Sequence, residues 1–324
     1  MDAARIIEDI DRLNKIIRRK EMSAKTIFHN RITWMILFCF FSLVSLQAWP
    51  AADQKKPQPN HDRAAKVTAT SPGLFEKDGP VLRVSLNRPT VLNAVNRGVL
   101  GELQSGLDSF GKDDGIRALM LFGQGGCFAS GADIKELAGL DETGIRDFHR
   151  LREKTFSLLE GFPCPTLAVI EGYALGTGLE LALSCDFRIS AENAQLGVPS
   201  ARLGIVESYE YIARLVRAVG PSHTRKLLVT AERLNAGTAM GIGLVEEALA
   251  SERLFERAES ILTAICRNSP YAVKHSKRLV EMCVKDPNLF YVADTALPMV
   301  KSLGHADFKE GTSAFMEKRR AEFQ

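Results

Sequence analysis

Two glycine-rich turns and one glutamate carry the chemistry this sequence offers. The segments GQGGCFASGADIKEL (123–137) and EGYALGTGLELALSCDF (171–187) each follow an apolar run and lead into a helical pattern. Glycine removes the side-chain barrier, so backbone N–H groups in such turns can approach a ligand closely. A helix that opens just after the turn adds N–H donors with no intrahelical partner. Two donors converging from separate turns make a hole for a carbonyl oxygen that gains negative charge. Beside the second turn stands Glu180, within the apolar stretch LGTGLELALS. A carboxylate there is costly unless it is paired, solvated or working. The plainer role for Glu180 is to favour the helix start or to face solvent.

Other chemistries fit less well. A dinucleotide fingerprint G-x-G-x-x-G fails in the first turn, where Phe128 takes the third glycine's place, and the second turn reads G-x-x-x-G-x-G. No G-x-x-x-x-G-K-[ST] occurs, so neither nicotinamide nor ATP is expected as a cofactor. The six cysteines, at 39, 127, 164, 185, 266 and 283, form no C-x-x-C or zinc-like cluster. They read as buried single thiols of a reducing compartment. His149, His223 and His275 lie on helical segments without metal-ligand spacing, and no metal is expected. Asp133 reads as a loop-stabilising residue. Tyr209 and Tyr211 read as packing residues within reach of a substrate.

The elements that must position these residues belong to an α/β body. VLRVSL (81–86) alternates like a half-buried strand, whereas ALMLFG (118–123) and TLAVIEG (166–172) are continuously apolar. Val99, Leu103, Leu107 and Phe110 give 95–110 helical spacing. From Ser208 onward the segments 208–219, 222–230, 252–267 and 270–284 read as helices, with 244–249 as a short exception. Strand–helix repetition followed by helices predicts an α/β core with a helical C-terminal part.

Of the 324 residues, 45% are hydrophobic and 25% are charged, which excludes disorder and small disulfide scaffolds. The net charge of +3 divides unevenly: residues 1–31 carry +3, 32–66 carry +2, and 67–324 carry −2. The body therefore predicts no nucleic-acid partner. Domains are expected at 1–66, an extension, and 67–324. Within the extension, residues 1–21 read as an amphipathic helix and 53–70 as a linker. The stretch 32–52 is uncharged over a length that spans a bilayer. It reads as a membrane anchor, as a secretory signal beginning at Met22, or as sequence upstream of the true translation start. The body is expected in the cytoplasm or an organelle matrix, with membrane association only through 32–52 if those residues are retained.

Five segments in order then resemble one family: LNRPTVLNAVN (86–96), CFASGADIKEL (127–137), EGYALGTGLELALSCDFRIS (171–190), AQLGVPSARLGI (194–205) and DFKEGTSAFMEKRRAEF (307–323). Over 74–323 the chain resembles the crotonase family, the enoyl-CoA hydratase/isomerase superfamily. The resemblance implies a spiral of ββα units with a helical C-terminal region, an acyl-CoA substrate, no cofactor beyond the CoA of that thioester, and a homotrimer or hexamer. It implies that Ala132, Asp133, Ile134 and Lys135 line the thioester site, with the Ala132 and Thr177 N–H groups as oxyanion donors. Thr177 stands where hydratases usually carry the central glycine of G-G-G. The resemblance makes Glu180 the first of two catalytic glutamates. It also suggests that the final helix, with Lys318, Arg319 and Arg320, covers the acyl-CoA site.

One position departs. Where the family's second glutamate follows proline, this chain has Ser200, and the following glycine turn is replaced by Glu207, Ser208, Glu210 and Tyr211. Water addition to an α,β-unsaturated thioester needs a base and a proton donor, which two carboxylates can divide. Either Glu180 does both jobs, or Glu207 or Glu210 folds in, or the reaction is isomerisation, decarboxylation or thioester hydrolysis. A non-catalytic acyl-CoA-binding protein is the reading from outside the enzymes. Hydration of a 2-enoyl-CoA through Glu180, with Ser200 beside the substrate, is the leading expectation.

Overall fold

The computed structural model describes residues 73–285 and 297–323. The chain divides into two units, 1–60 and 61–324, and the described residues all belong to the second. The readings placed on residues 1–70, and on Cys39, lie outside the described residues. Among the described residues no helix is long and apolar enough to cross a membrane.

The chain begins with β1 (Gly73–Asp78) and β2 (Val81–Leu86), an antiparallel hairpin, followed by α1 (Arg97–Phe110). Next come β3 (Ala118–Gly123), the short α2 (Ile134–Ala138) and the long α3 (Glu142–Glu160). Then β4 (Thr166–Ile170), β5 (Tyr173–Leu175) and α4 (Thr177–Leu183) form one unit, and β6 (Phe187–Ala191) and β7 (Gln195–Gly197) lead through a 3₁₀ turn at Pro199–Leu203 into α5 (Tyr209–Thr230). The remainder is β8 (Arg233–Asn235), α6 (Ala236–Gly241), β9 (Glu247–Leu249), α7 (Ser251–Arg267), α8 (Pro270–Lys285), α9 (Leu297–Gly304) and α10 (Ala306–Glu317). The large sheet has the order β1-β2-β3-β4-β6-β9 and the small one β5-β7-β8. Beyond the β1–β2 hairpin the large sheet is parallel. Units β4–β5 and β6–β7 each give one strand to either sheet before their helix, which is the repeated plan of the fold.

Both faces of the large sheet are covered. Leu82, Val84, Leu119, Leu121, Ala168 and Ile170 pack towards Val99, Leu103 and Leu107 of α1 and Phe156 of α3. Ala118, Met120, Leu167, Val169 and Ile189 pack on the other face against Leu254, Ala258 and Leu262 of α7. Covered on both sides, parallel strands read as continuous apolar runs rather than alternations. The same fact corrects the reading of β2 as half-buried: Val81, Leu82, Val84, Ser85 and Leu86 are all buried. Arg83, which made the strand look amphipathic, is held by Glu259 of α7.

The helical C-terminal part is present, with corrections. Segments 208–219 and 222–230 form one element, broken at Gly220, where φ is +73°, immediately before Pro221. Lys318 to Arg320 lie beyond the final helix. Lys318 ends α10 in the left-handed conformation, and Arg319 is bound by Glu310 and Glu317. Cys127, Cys164 and Cys185 are buried thiols as read, but Cys283 is exposed.

Candidate active site

The first turn is secured from below by Asn93. Its buried amide donates to the Gln124 carbonyl at 2.9 Å and the Cys127 carbonyl at 2.5 Å, and its oxygen accepts the Arg88 N–H. Beyond the turn, residues 129–133 run between two neighbours. The Ala129 N–H donates to the Tyr173 carbonyl (2.8 Å), and the Leu175 N–H donates to the Ala129 carbonyl (3.1 Å). On the other side the Val95 N–H donates to the Gly131 carbonyl (2.8 Å) and the Asp133 N–H to the Val95 carbonyl (2.9 Å). In that parallel bridge Ala132 faces Val95, so its own N–H points away from it. Gly131, at φ +122°, turns the chain between the two pairings, a backbone state that side chains resist.

The second turn completes the arrangement. Ala129 pairs with Ala174, and three residues on from each stand Ala132 and Thr177. Thr177 is the first residue of α4, so its N–H has no acceptor within the helix. The paired loops thus bring the two predicted donor segments to one place, on the side of residues 173–177. Gly178 allows this approach: a Cβ there would lie 2.3 Å from the Ala129 carbonyl oxygen. Gly178→Ala is expected to cost about 1–3 kcal/mol by overpacking and to part the two turns. Chemical denaturation of the variant checks the cost, and wild-type stability would contradict the close approach.

Asp133 caps α2, accepting the Glu136 N–H, and pairs with Arg88 at 3.1 Å. Its observed partners are therefore structural. Ile134 and Lys135 are exposed on α2, and Thr177 and Ser200 are buried. Ser200 sits in the 3₁₀ turn, and its hydroxyl donates to the Glu207 carboxylate. Tyr211 is fully buried, and its hydroxyl donates to the Gly176 carbonyl at 2.8 Å, while Tyr209 is exposed.

Glu180 is completely enclosed, on a helix whose seven residues are all buried. Its Oε1 accepts a hydrogen bond from Arg214 Nη1 at 3.0 Å. Its Oε2 lies 3.4 Å from Arg152 Nε and accepts no hydrogen bond among the described residues. Burial pushes the carboxyl up, Arg152 and Arg214 pull it down, and Glu153 and Glu207 push it up again, leaving it at about 8. Folding therefore retains a proton that the unfolded chain releases above about 4.5. This group's contribution makes stability fall as pH rises from about 4.5 towards about 8, and level off above. The difference in stability between wild type and Glu180→Gln across that window checks the sign, and a difference that rises with pH would contradict it.

The two arginines were not anticipated. Both break the rule that a helix buries its apolar stripe: Arg152 lies four residues from Phe148 and from Phe156, and Arg214 lies between Tyr211 and Leu215. A cation in such a stripe is the signal that an acid waits opposite. Arg214 also binds Glu153 at 3.1 Å and Glu160 at 3.4 Å, and Arg152 binds Glu153 at 3.3 Å. His149, read as lying without metal-ligand spacing, comes within 4.0 Å of Glu210 and lies in one cluster with Glu153.

The fold and the paired turns define an α/β enzyme body with a buried acid beside two aligned loops. The family model described as enoyl-CoA hydratase/isomerase matches residues 76–324, and the chain belongs to that family. It is 35% identical over 251 residues to the crotonyl-CoA hydratase of Syntrophomonas wolfei, covering 77% of this chain and 96% of that one. It is likewise 35% identical over 253 residues to the short-chain-enoyl-CoA hydratase of Clostridium acetobutylicum, with the same coverage. Among solved structures it is similar to an enoyl-CoA hydratase from Bacillus anthracis, with a TM-score of 0.72, 33% identity, and coverage of 78% of this chain and 99% of that one. An enoyl-CoA hydratase/carnithine racemase from Magnetospirillum magneticum gives a TM-score of 0.76 at 27% identity, covering 79% and 96%. The body therefore has the crotonase fold, and the protein is an enzyme of the hydratase/isomerase type.

Proposed function

We propose that this chain is a 2-enoyl-CoA hydratase, adding water across the double bond of an acyl-CoA thioester. The observation that carries the reading is the pairing of Ala129 with Ala174, which sets the two turns side by side, together with the buried acid Glu180 on the helix that Thr177 opens. The thioester oxygen sits between the Ala132 and Thr177 N–H groups. As water adds at the β-carbon, the π electrons move towards that oxygen, and the two donors stabilise the enolate more than the starting carbonyl. Glu180, holding its proton at neutral pH, delivers it to the α-carbon. Arg152 and Arg214 fix its orientation and stabilise the carboxylate left behind.

Ile134 and Lys135, exposed at the mouth of the first turn, meet the acyl-CoA from the solvent side, with Asp133 holding that turn in place. CoA enters only as part of the substrate, and the working assembly is a homotrimer or hexamer. Loss of enoyl absorbance with crotonyl-CoA and longer 2-enoyl-CoAs tests the function. Turnover supports it, and inertness towards the whole series would refute it.

A further inference from the structure

Hydration needs two proton movements at different atoms: one off the attacking water and one onto the α-carbon. A single buried glutamate clamped by arginines serves one of them directly. Most other carboxylates near it are already engaged. Glu153 is held by Arg152, Arg214 and Ser208, and Glu160 by Arg214 and Arg217. Glu210 is exposed on the outer side of α5, beside His149.

Glu207 differs from all of these. It sits in the loop 204–208, where Ile205 and Val206 are exposed, Val206 by 90%, as is Tyr209 at the start of α5. Beside these outward-turned apolar side chains, Glu207 is half-buried. Among the described residues no cation pairs with Glu207. Its carboxylate instead accepts the hydroxyl of buried Ser200.

Three segments converge there. The Gly176 N–H donates to the Gly197 carbonyl, three residues before Ser200. Tyr211, one turn beyond Glu207, donates its hydroxyl to Gly176, the residue before Thr177. The charge of Glu207 is felt at both Glu180 and Tyr211, pushing each upward.

We infer that Glu207 is the second acid–base residue of this enzyme, its carboxylate steered to the site by the Ser200 hydroxyl. The inference rests on the hydratase reading above. In the forward step Glu207 takes a proton from water as the oxygen bonds to the β-carbon. The double-bond electrons pass to the α-carbon and thioester oxygen, and Glu180 protonates the α-carbon. The proton on Glu207 returns to Glu180 through solvent, so each cycle consumes one water and nothing else. Ser200 is a positioning residue. Its loss changes the orientation of Glu207 rather than removing a reacting group.

The test uses the full chain with crotonyl-CoA and three variants, each checked for folding by circular dichroism. Glu207→Gln is expected to lower kcat by about 10²–10⁴-fold, with KM nearly unchanged. Ser200→Ala is expected to lower kcat less and to shift the acid limb of the pH–rate profile, which a merely structural role would leave in place. The double change S200E/E207S moves the carboxylate back to position 200 and is expected to recover much of the lost rate. Glu207→Gln turning over like wild type would overturn the inference while leaving the hydratase reading intact. A wild-type chain that hydrates no enoyl-CoA would overturn both.

Discussion

Replacing Glu180 by glutamine is expected to lower kcat for enoyl-CoA hydration by about 10²–10⁴-fold, the usual worth of one general acid. Glutamine keeps an oxygen for Arg214 Nη1 and nearly the same volume, so the fold and KM should be little changed. The wild-type profile carries a further signature. Because Glu180 acts in its protonated form and in the free enzyme loses its proton at about 8, kcat/KM should decline as pH rises through that value. The variant's residual rate should lack that alkaline limb. Stopped-flow or steady-state rates across the pH range check both statements. A wild-type kcat/KM that climbs through the same range would assign Glu180 the opposite role.

The second large effect is on stability. Arg214 is 3% exposed and is shared by Glu180, Glu153 and Glu160. Substituting methionine fills most of the space but leaves the Glu153 and Glu160 carboxylates without their common cation and the Glu180 carboxyl without its hydrogen-bond donor. Breaking a buried ion pair by removing one partner costs about 3–5 kcal/mol, because the abandoned charge keeps its desolvation penalty. Arg214→Met should therefore lose about that much in denaturant unfolding. A loss no larger than the roughly 1 kcal/mol of a surface pair would show that the cluster is solvated.

These two residues mark the boundary of what is legible from sequence. Glu180 stood out because an acid interrupts an apolar helix beside a glycine turn, a local pattern. Arg152 and Arg214 lie 28 and 34 residues from it, and only the packing of α3 and α5 against α4 shows what they meet. The same limit explains β2, where Arg83 imitated an exposed position until its partner on α7 came into view. The three-residue strands β5, β7 and β8 are too short for any periodicity to register. The break at Gly220–Pro221 was legible because its cause is local, a positive φ and a missing N–H. Ser200 and Glu207 fall between these cases. Their types, at positions where the family carries an acid and a glycine turn, point to altered chemistry, but the turn that folds one onto the other is a property of the 3₁₀ segment and its left-handed end at Gly204.

In the proposed reaction water adds to an enoyl thioester through an enolate held by Ala132 and Thr177 and protonated by Glu180. Running the full chain on crotonyl-CoA in deuterium oxide and reading the product by mass spectrometry and NMR tests it most directly. The expected product is a 3-hydroxyacyl-CoA with one deuterium fixed on the α-carbon, formed far more slowly by Glu180→Gln. Free CoA, a shifted double bond without added water, or unchanged substrate would contradict it.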